Sequence, residues 1–417
     1  MKSWKLLLLL LVVGTLAITG CSDDDCVIPV EELPTLDYAG ADKCFICHAS
    51  EHDMWENSGH PYKLTAIDGG PPTGVFPNFS GFGSAPIDPP AGTTWDDFSY
   101  TIGGYGWKMR WISNDGYIYT PGTGLNQWNF ENETFTNYHA GETKFYDCGA
   151  CHTTGWVGSD DGDASNNQGG MEGMLGTFFA GGITCESCHG MGNQHVFDPV
   201  GYNLTTDDSS AFCGKCHTRG GDNGVTPDTD TIEASGGFIK HHEQYDEWYN
   251  SPHNSTYGPG CNDCHNPHAS VKFDDDAPGE GVSTTTTCIS CHVTGSHANI
   301  ASTSHEAYGA KCVDCHMPDA SKSAIANNVN DGDVSTHLWK INTSVNGKVD
   351  MFSEDGTSVL ITDGVASVTL DFACYGCHTD PLDLDSDSGG GSEKTLLELH
   401  NAAESIHTYV PHGIASN

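Results

Sequence analysis

Apolar and polar positions sort this 417-residue chain into stretches of different period. Phe98, Tyr100 and Ile102 alternate with smaller residues, then Trp107 to Ile112, the turn Asn114-Asp115-Gly116 and Tyr117-Ile-Tyr119 follow; this period of two predicts a hairpin. A second strand-like stretch spans 336–372, with turn signals at Asn346-Gly347, Asp355-Gly356 and Asp363-Gly364. Helical spacing is confined to short segments: Ser50 to Ser58, Phe238 to Asn250, and a closing helix from Glu393 to about His407. The remainder is polar and rich in Gly, Pro, Asp and Asn, as in 64–92, 159–170 and 384–392, and reads as loop.

Composition sharpens this picture. Only 37% of residues are hydrophobic and 51 are Gly, which is lean for a conventional core of this length. The formal charge is −40, from 56 acidic against 16 basic residues. Such acidity excludes nucleic acid and anionic membrane surfaces as partners, and leaves few cations to gather an anionic substrate.

The chemistry lies in a repeated pentapeptide. Cys-x-x-Cys-His occurs at Cys44-Phe-Ile-Cys47-His48, Cys148-Gly-Ala-Cys151-His152, Cys185-Glu-Ser-Cys188-His189, Cys213-Gly-Lys-Cys216-His217, Cys261-Asn-Asp-Cys264-His265, Cys288-Ile-Ser-Cys291-His292, Cys312-Val-Asp-Cys315-His316 and Cys374-Tyr-Gly-Cys377-His378. With 18 Cys and 22 His, composition alone would give about 0.04 such units in the chain. A zinc ribbon, a redox dithiol or a disulfide framework would each account for a Cys pair, but not for a His after every second Cys. Two thiols at this spacing reach the two vinyl groups on one edge of a porphyrin, and the next residue turns its imidazole onto the iron. Each unit thus supplies tether and proximal ligand for one haem c, eight in all, and the haems supply much of the apolar interior. The expected fold is haem-cored, with short helices and irregular loops around stacked haems and minor β-hairpin insertions at about 94–138 and 340–370.

Two Cys remain, Cys21 and Cys26. Met1-Lys-Ser-Trp-Lys5, followed by the apolar run Leu6 to Val13, has the form of a secretion signal too short to span a membrane. It ends in Leu16-Ala-Ile-Thr-Gly20-Cys21, which resembles a bacterial lipoprotein box with Cys21 as the lipidated residue. Removing residues 1–20 takes away Lys2 and Lys5 and moves the charge from −40 to −42. The expected organisation is a signal peptide at 1–20, an acidic tether at 21–37, unit one and the β-rich insertion at 38–145, units two to four at 146–220, units five to seven at 221–325, and a β insertion, unit eight and the closing helix at 326–417.

The second axial ligand separates carriers from catalysts, since two His saturate an iron that an open position would leave reactive. Fourteen His remain after the proximal eight, so every haem can be bis-His. His60 in Trp55-Glu-Asn-Ser-Gly-His60 and His253 in Trp248-Tyr-Asn-Ser-Pro-His253 stand in the same relation to a Trp and look like a duplicated device. His139 precedes unit two, His195 follows unit three, and His305 precedes unit seven. His337 and one of His241 and His242 extend the set, with His242 taken forward. The last ligand comes from His268, His297 or the tail, where His407 is the candidate.

These segments resemble the multihaem c-type cytochromes that include the nitrifiers' tetrahaem electron acceptor of hydroxylamine oxidoreductase. The resemblance rests on Tyr38-Ala-Gly-Ala-Asp-Lys-Cys44 with Trp55 and His60, on Gly182-Ile-Thr-Cys-Glu-Ser-Cys-His-Gly190 with His195, and on Lys311-Cys-Val-Asp-Cys-His-Met-Pro318. Ile102-Gly-Gly-Tyr-Gly-Trp-Lys108, His241-His-Glu-Gln-Tyr245 and Asp371-Phe-Ala-Cys374 look like multihaem lipoproteins of metal-respiring and sulfur-reducing bacteria. The resemblance implies that His60, His139, His195, His253, His305 and His337 are distal ligands. It also implies an electron carrier, not an enzyme: an outer-membrane lipoprotein at the cell surface or periplasmic face. Its partners would be other multihaem cytochromes, a porin-cytochrome conduit or extracellular acceptors, with the membrane met through the lipid alone. The alternatives are an octahaem reductase of nitrite, hydroxylamine or tetrathionate with one open haem, and a self-associating cytochrome filament.

Overall fold

The computed structural model describes residues 34–71, 76–77, 88–122, 124–158, 166–219, 229–255, 258–282, 288–292, 305, 309–378 and 393–406. Residues 1–33, with Cys21, the leader and most of the tether, and His297, His407 and His412 lie outside the described residues.

Strands are concentrated in the first third. A seven-stranded sheet runs in the order β1 (Leu64–Ala66), β2 (Phe98–Gly103), β3 (Lys108–Ser113), β4 (Tyr117–Ile118), β7 (Lys144–Phe145), with β5 (Gln127–Asn129) on β3 and β6 (Thr134–Thr136) on β5. The expected hairpin is β3 and β4, antiparallel with Ile112 opposite Ile118 and its turn closed by Gly116 at φ 91°, while β2 pairs with β3 with Thr101 opposite Trp111. The sheet is larger than the alternation suggested because β1 and β7 are two or three residues long, too short to show a period. One face buries Trp95, Phe98, Met109, Trp111 and Phe130, the other Leu64, Ile102, Ile112, Tyr146 and Met174. Full burial of such side chains contributes about 1.5–3 kcal/mol each, so this region has a core of its own.

A smaller core lies in the second half, where Ile232, Phe238, Ile239, Leu338, Met351, Phe352, Val368 and Phe372 pack together. The helix expected from Phe238 to Asn250 is interrupted here. Phe238–Lys240 is a strand, antiparallel to Ala234–Ser235 and parallel to Ser321–Lys322. His242 then takes φ 74°, and the helix occupies only Gln244–Tyr249. Strand pairing on both edges and a left-handed residue override the helical spacing. The strand-like stretch at 336–372 reduces to Ile341–Asn342 paired with Val368–Thr369, which runs directly into the helix Leu370–Tyr375 of unit eight. The closing helix is Leu396–Ile406, packed on Leu370 and Tyr375 through Leu399.

The pentapeptides form helices of a different kind. Ala41–Phe45, Cys185–His189, Cys261–Cys264, Cys288–Cys291 and Cys312–His316 are four or five residues long. Isolated helices of this length do not stand by propensity, and those of units one, five, six and seven bury no residue. Within them Phe45 is 51% exposed, Ile46 72% and Ile289 62%.

Candidate functional site

The proximal histidines do not point at one another or into the β-rich cores; each of seven faces a second histidine across a fixed gap. The ring centroids of His48 and His195 are 6.3 Å apart, His60 and His217 6.4 Å, His152 and His242 6.4 Å, and His189 and His268 6.3 Å. His253 and His292 stand at 6.2 Å, His265 and His337 at 6.0 Å, and His305 and His378 at 5.9 Å. Two imidazoles bound in trans to one metal, each at about 2.0 Å and each with its centroid about 1.1 Å further on, stand about 6.2 Å apart. Rings in van der Waals contact would be closer, and rings without a common partner would not repeat one spacing seven times. Donors come in pairs: among the described residues no three His, Cys, Asp or Glu converge on a bare ion. Opposed imidazoles beside two thiols, with apolar side chains left at the surface of the motif, fit a haem covalently held through two sulfurs.

Local hydrogen bonds set the tautomers. The Nδ1 of His60 meets Pro267 O at 3.1 Å, that of His195 Tyr202 O at 2.6 Å and that of His316 Trp339 O at 2.7 Å. An imidazole that donates through Nδ1 presents Nε2 as the ligand. The Nδ1 atoms of His152, His265 and His337 are buried and close no hydrogen bond among the described residues.

The duplicated device is a duplicated structure. Trp55 Nε1 donates to Ile183 O at 2.8 Å and Trp248 Nε1 to Pro259 O at 2.9 Å, in each case two residues before the first Cys of a unit. Ser58 Oγ and Ser251 Oγ both donate to the carbonyl of their Trp at 2.8 Å, and each then accepts from the backbone N–H of the histidine, at 3.4 and 3.1 Å. Each copy pins one unit (three or five) through its Trp and offers its His to the next (four or six).

The structure moves one ligand. His139 is at the surface, its Nδ1 3.0 Å from Glu142 Oε1, and it faces no proximal histidine among those described. A left-handed φ of 47° turns its ring out beside Tyr138. His268, left among the spare histidines in the sequence reading, faces His189 instead. Of the pair His241 and His242, the second faces His152. His60, His195, His253, His305 and His337 face proximal histidines, whereas His407 lies outside the described residues.

Sulfur contacts fix which units adjoin. Cys44 lies next to Cys185, Cys151 next to Cys216, Cys213 next to Cys261, and Cys288 next to Cys312. Cys188 lies within electrostatic reach of Cys213 and Cys216, Cys264 of Cys288 and Cys291, and Cys315 of Cys374 and Cys377. Once joined to haem these sulfurs are thioethers and do not titrate, so only their proximity matters. The units run one–three–four–five–six–seven–eight, with unit two attached at four, where Cys151 Sγ also meets Lys215 O at 3.7 Å.

Comparisons with known proteins bear on the family and the fold. The family model of cytochrome c554 and c-prime matches residues 124–190 and 240–317, which carry units two, three, five, six and seven. The chain is a multihaem c-type cytochrome. Its fold is similar to that of the outer cell wall cytochrome OcwA, with 18% identity over 88% of this chain and 86% of that one at a TM-score of 0.52. It is also similar to the octaheme sulfite reductase MccA of Wolinella succinogenes, with 17% identity over 91% and 69% of the two chains at a TM-score of 0.54. No curated protein sequence gives a significant match. Among the described residues of the cytochrome, no helix is long and apolar enough to cross a membrane.

Several residues that serve the ligands carried no sequence signal. Glu186 accepts from the backbone N–H of Ala39, Gly40 and Gly192, tying the start of unit one to unit three. Glu247 holds the His337 segment through Thr336 and the His337 N–H. Trp339, at φ 53°, packs its ring 4.2 Å from His253 and 5.4 Å from His337, while its carbonyl meets His316, so one residue touches ligands of units five, six and seven.

Proposed function

We propose that this cytochrome carries electrons through eight covalently attached c-type haems with bis-His ligation, as a secreted lipoprotein in outer-membrane or extracellular respiration. The observation that carries the reading is the recurrence of opposed histidine rings at 5.9–6.4 Å, which would give a haem at each of seven sites two histidine ligands. Bound haem supplies one-electron chemistry at each site. The chain's part is to fix ligand tautomers, set neighbouring units in contact and shield them. The eighth ligand set joins His316 to a tail histidine such as His407. Adjacent sulfurs support a path from unit one to unit eight, with ends suited to redox partners: other multihaem cytochromes, a porin-cytochrome conduit or an extracellular acceptor.

The test is low-temperature electron paramagnetic resonance of the oxidised protein together with a haem-to-protein ratio. Eight haems, all low-spin, are the expected result; a high-spin iron in the untreated protein would transfer the reading to the octahaem reductase alternative.

A further inference from the structure

Trp339 holds a backbone conformation that a large side chain rarely adopts, and three units meet at it. Its φ is 53°, and the N–H of Lys340 closes a three-residue turn around it by donating to Leu338 O at 2.6 Å. Both flanks fix this shape: Leu338 is fully buried in the second core, and Lys340 O accepts from the Val368 N–H at 2.9 Å. A strained residue persists only where its surroundings over-determine it, and such residues gather where position serves function.

The turn aims two parts of the residue. The carbonyl takes the Nδ1–H of His316, the proximal ligand of unit seven, at 2.7 Å. The ring, partly buried, reaches the distal ligands of units six and five: its centroid is 4.2 Å from that of His253 with the planes at 68°, and 5.4 Å from that of His337 at 89°. Aromatic pairs ordinarily stand about 4.5–7 Å apart. The His337 contact is therefore simple packing, whereas the His253 contact is closer than packing gives. With Nε2 turned to the metal between His253 and His292, Nδ1 lies on the free edge of the His253 ring, and it is buried and closes no hydrogen bond among the described residues. An N–H directed at the indole face accounts for both the short spacing and the missing polar partner.

We propose that the Trp339 ring accepts the His253 Nδ1–H and keeps water from it, and that this side chain holds the potential of unit six higher than a carbonyl or water acceptor would. The inference rests on the reading of unit six as a haem with His253 and His292 as axial ligands. A carbonyl that draws the Nδ1 proton makes the imidazole more basic and favours ferric iron, as at His195 for unit one, His60 for unit four and His316 for unit seven. An aromatic face draws that proton weakly, so the ligand donates less and the iron is easier to reduce. Lying between units five and seven, unit six then becomes a point on the path at which an electron is held.

The experiment uses the fully haem-loaded protein, with haem content measured first, and reads the low-spin paramagnetic resonance signals beside a redox titration. Unit six is assigned with His253→Ala, which turns its iron high-spin. Trp339→Gly suits the left-handed backbone, keeps the carbonyl for His316 and opens the edge of His253 to water, a stronger acceptor. The expected result is a shifted unit six signal, an unchanged unit seven signal and a fall in the unit six potential; a tenfold change in the ferrous-to-ferric ratio corresponds to about 59 mV. Trp339→Phe keeps an aromatic face and should leave unit six close to the parent. An unchanged or raised potential in Trp339→Gly overturns the proposal, as does a Trp339→Phe variant that falls as far, or a shift shared by all units, which marks a purely structural role. Where Trp339→Gly fails to load its haems, Trp339→Leu takes its place: apolar but without a π face, it must move the unit six signal where Trp339→Phe does not, and equal signals overturn the proposal. These outcomes leave the ligand reading intact. A His253→Ala variant with every iron still low-spin overturns that reading and this inference with it.

Discussion

Glu247 is the sharpest test of how the scaffold holds its ligands. It is 1% exposed, yet it is not a charge partner for any cation: its carboxylate accepts from Thr336 Oγ1 at 2.5 Å, from Ser321 Oγ at 3.2 Å and from the backbone N–H of His337. The acceptor lies on the helix Gln244–Tyr249, whose next residue, Trp248, pins unit five through Pro259 and starts the turn that presents His253. One side chain thus joins the distal ligand of unit five to the device serving unit six. Glu247→Ala leaves a buried backbone N–H and two hydroxyls without their acceptor and opens a cavity, a loss of about 3–5 kcal/mol. Glu247→Gln keeps an oxygen where Oε2 serves both the His337 N–H and Thr336 Oγ1, and Ser321 Oγ can turn to accept from the new amide, so the cost falls to about 1–2 kcal/mol. Against a domain stability of about 5–15 kcal/mol, the first change is severe and the second mild. The measurement is the urea midpoint of the haem-loaded protein, followed by Soret absorbance, beside the spin state of the oxidised variants. The alanine variant should also show a partial high-spin signal from one iron as His337 loses its anchor. An alanine variant within about 0.5 kcal/mol of the parent, or a glutamine variant as unstable as alanine, refutes the reasoning.

Further substitutions separate neighbouring claims. His60→Ala and His253→Ala should each convert one low-spin iron to high-spin in paramagnetic resonance, and His139→Ala should convert none; a high-spin signal from the last would restore it as a ligand. Gly182 sits at φ 76° with Pro61 O only 2.0 Å from where a Cβ would stand, whereas Gly190 at φ 78° meets nothing within 4 Å. Gly182→Ala should therefore cost at least about 2 kcal/mol and Gly190→Ala about 1, and equal losses in urea unfolding would show that the close approach is unimportant. Replacing both Cys213 and Cys216 by Ser removes the junction unit, so stopped-flow reduction should split into separate phases for units one and three and for units five to eight. The same change at Cys374 and Cys377 should remove one haem at the end of the path and leave a single connected phase.

Legibility followed the range of the forces. Cys-x-x-Cys-His is a covalent requirement met within five residues, and the Trp-x-x-Ser-x-His turn closes its hydrogen bonds within six, so both could be read directly. The β3–β4 hairpin, closed by Asn114-Asp115-Gly116, was visible for the same reason. His139 misled because sequence distance to unit two stood in for spatial distance; Glu142, three residues on, holds it outward, and His268 reaches unit three across a stretch with no pattern of its own.

The order of units in space departs from their order in the chain, and the departure has a cause. Between unit one and unit two the chain spends residues 64–145 building the sheet, and β7 delivers Cys148 beside that sheet instead of beside unit one. Unit one is reached by unit three, because Glu186 within unit three takes the backbone N–H groups of Ala39 and Gly40 and brings Cys185 to Cys44. From unit four onward chain order and contact order agree, although strands and the second core lie between units four and five and between units seven and eight. The sheet is therefore more than a cover for haem faces: it displaces unit two from the sequence of units to a branch at unit four.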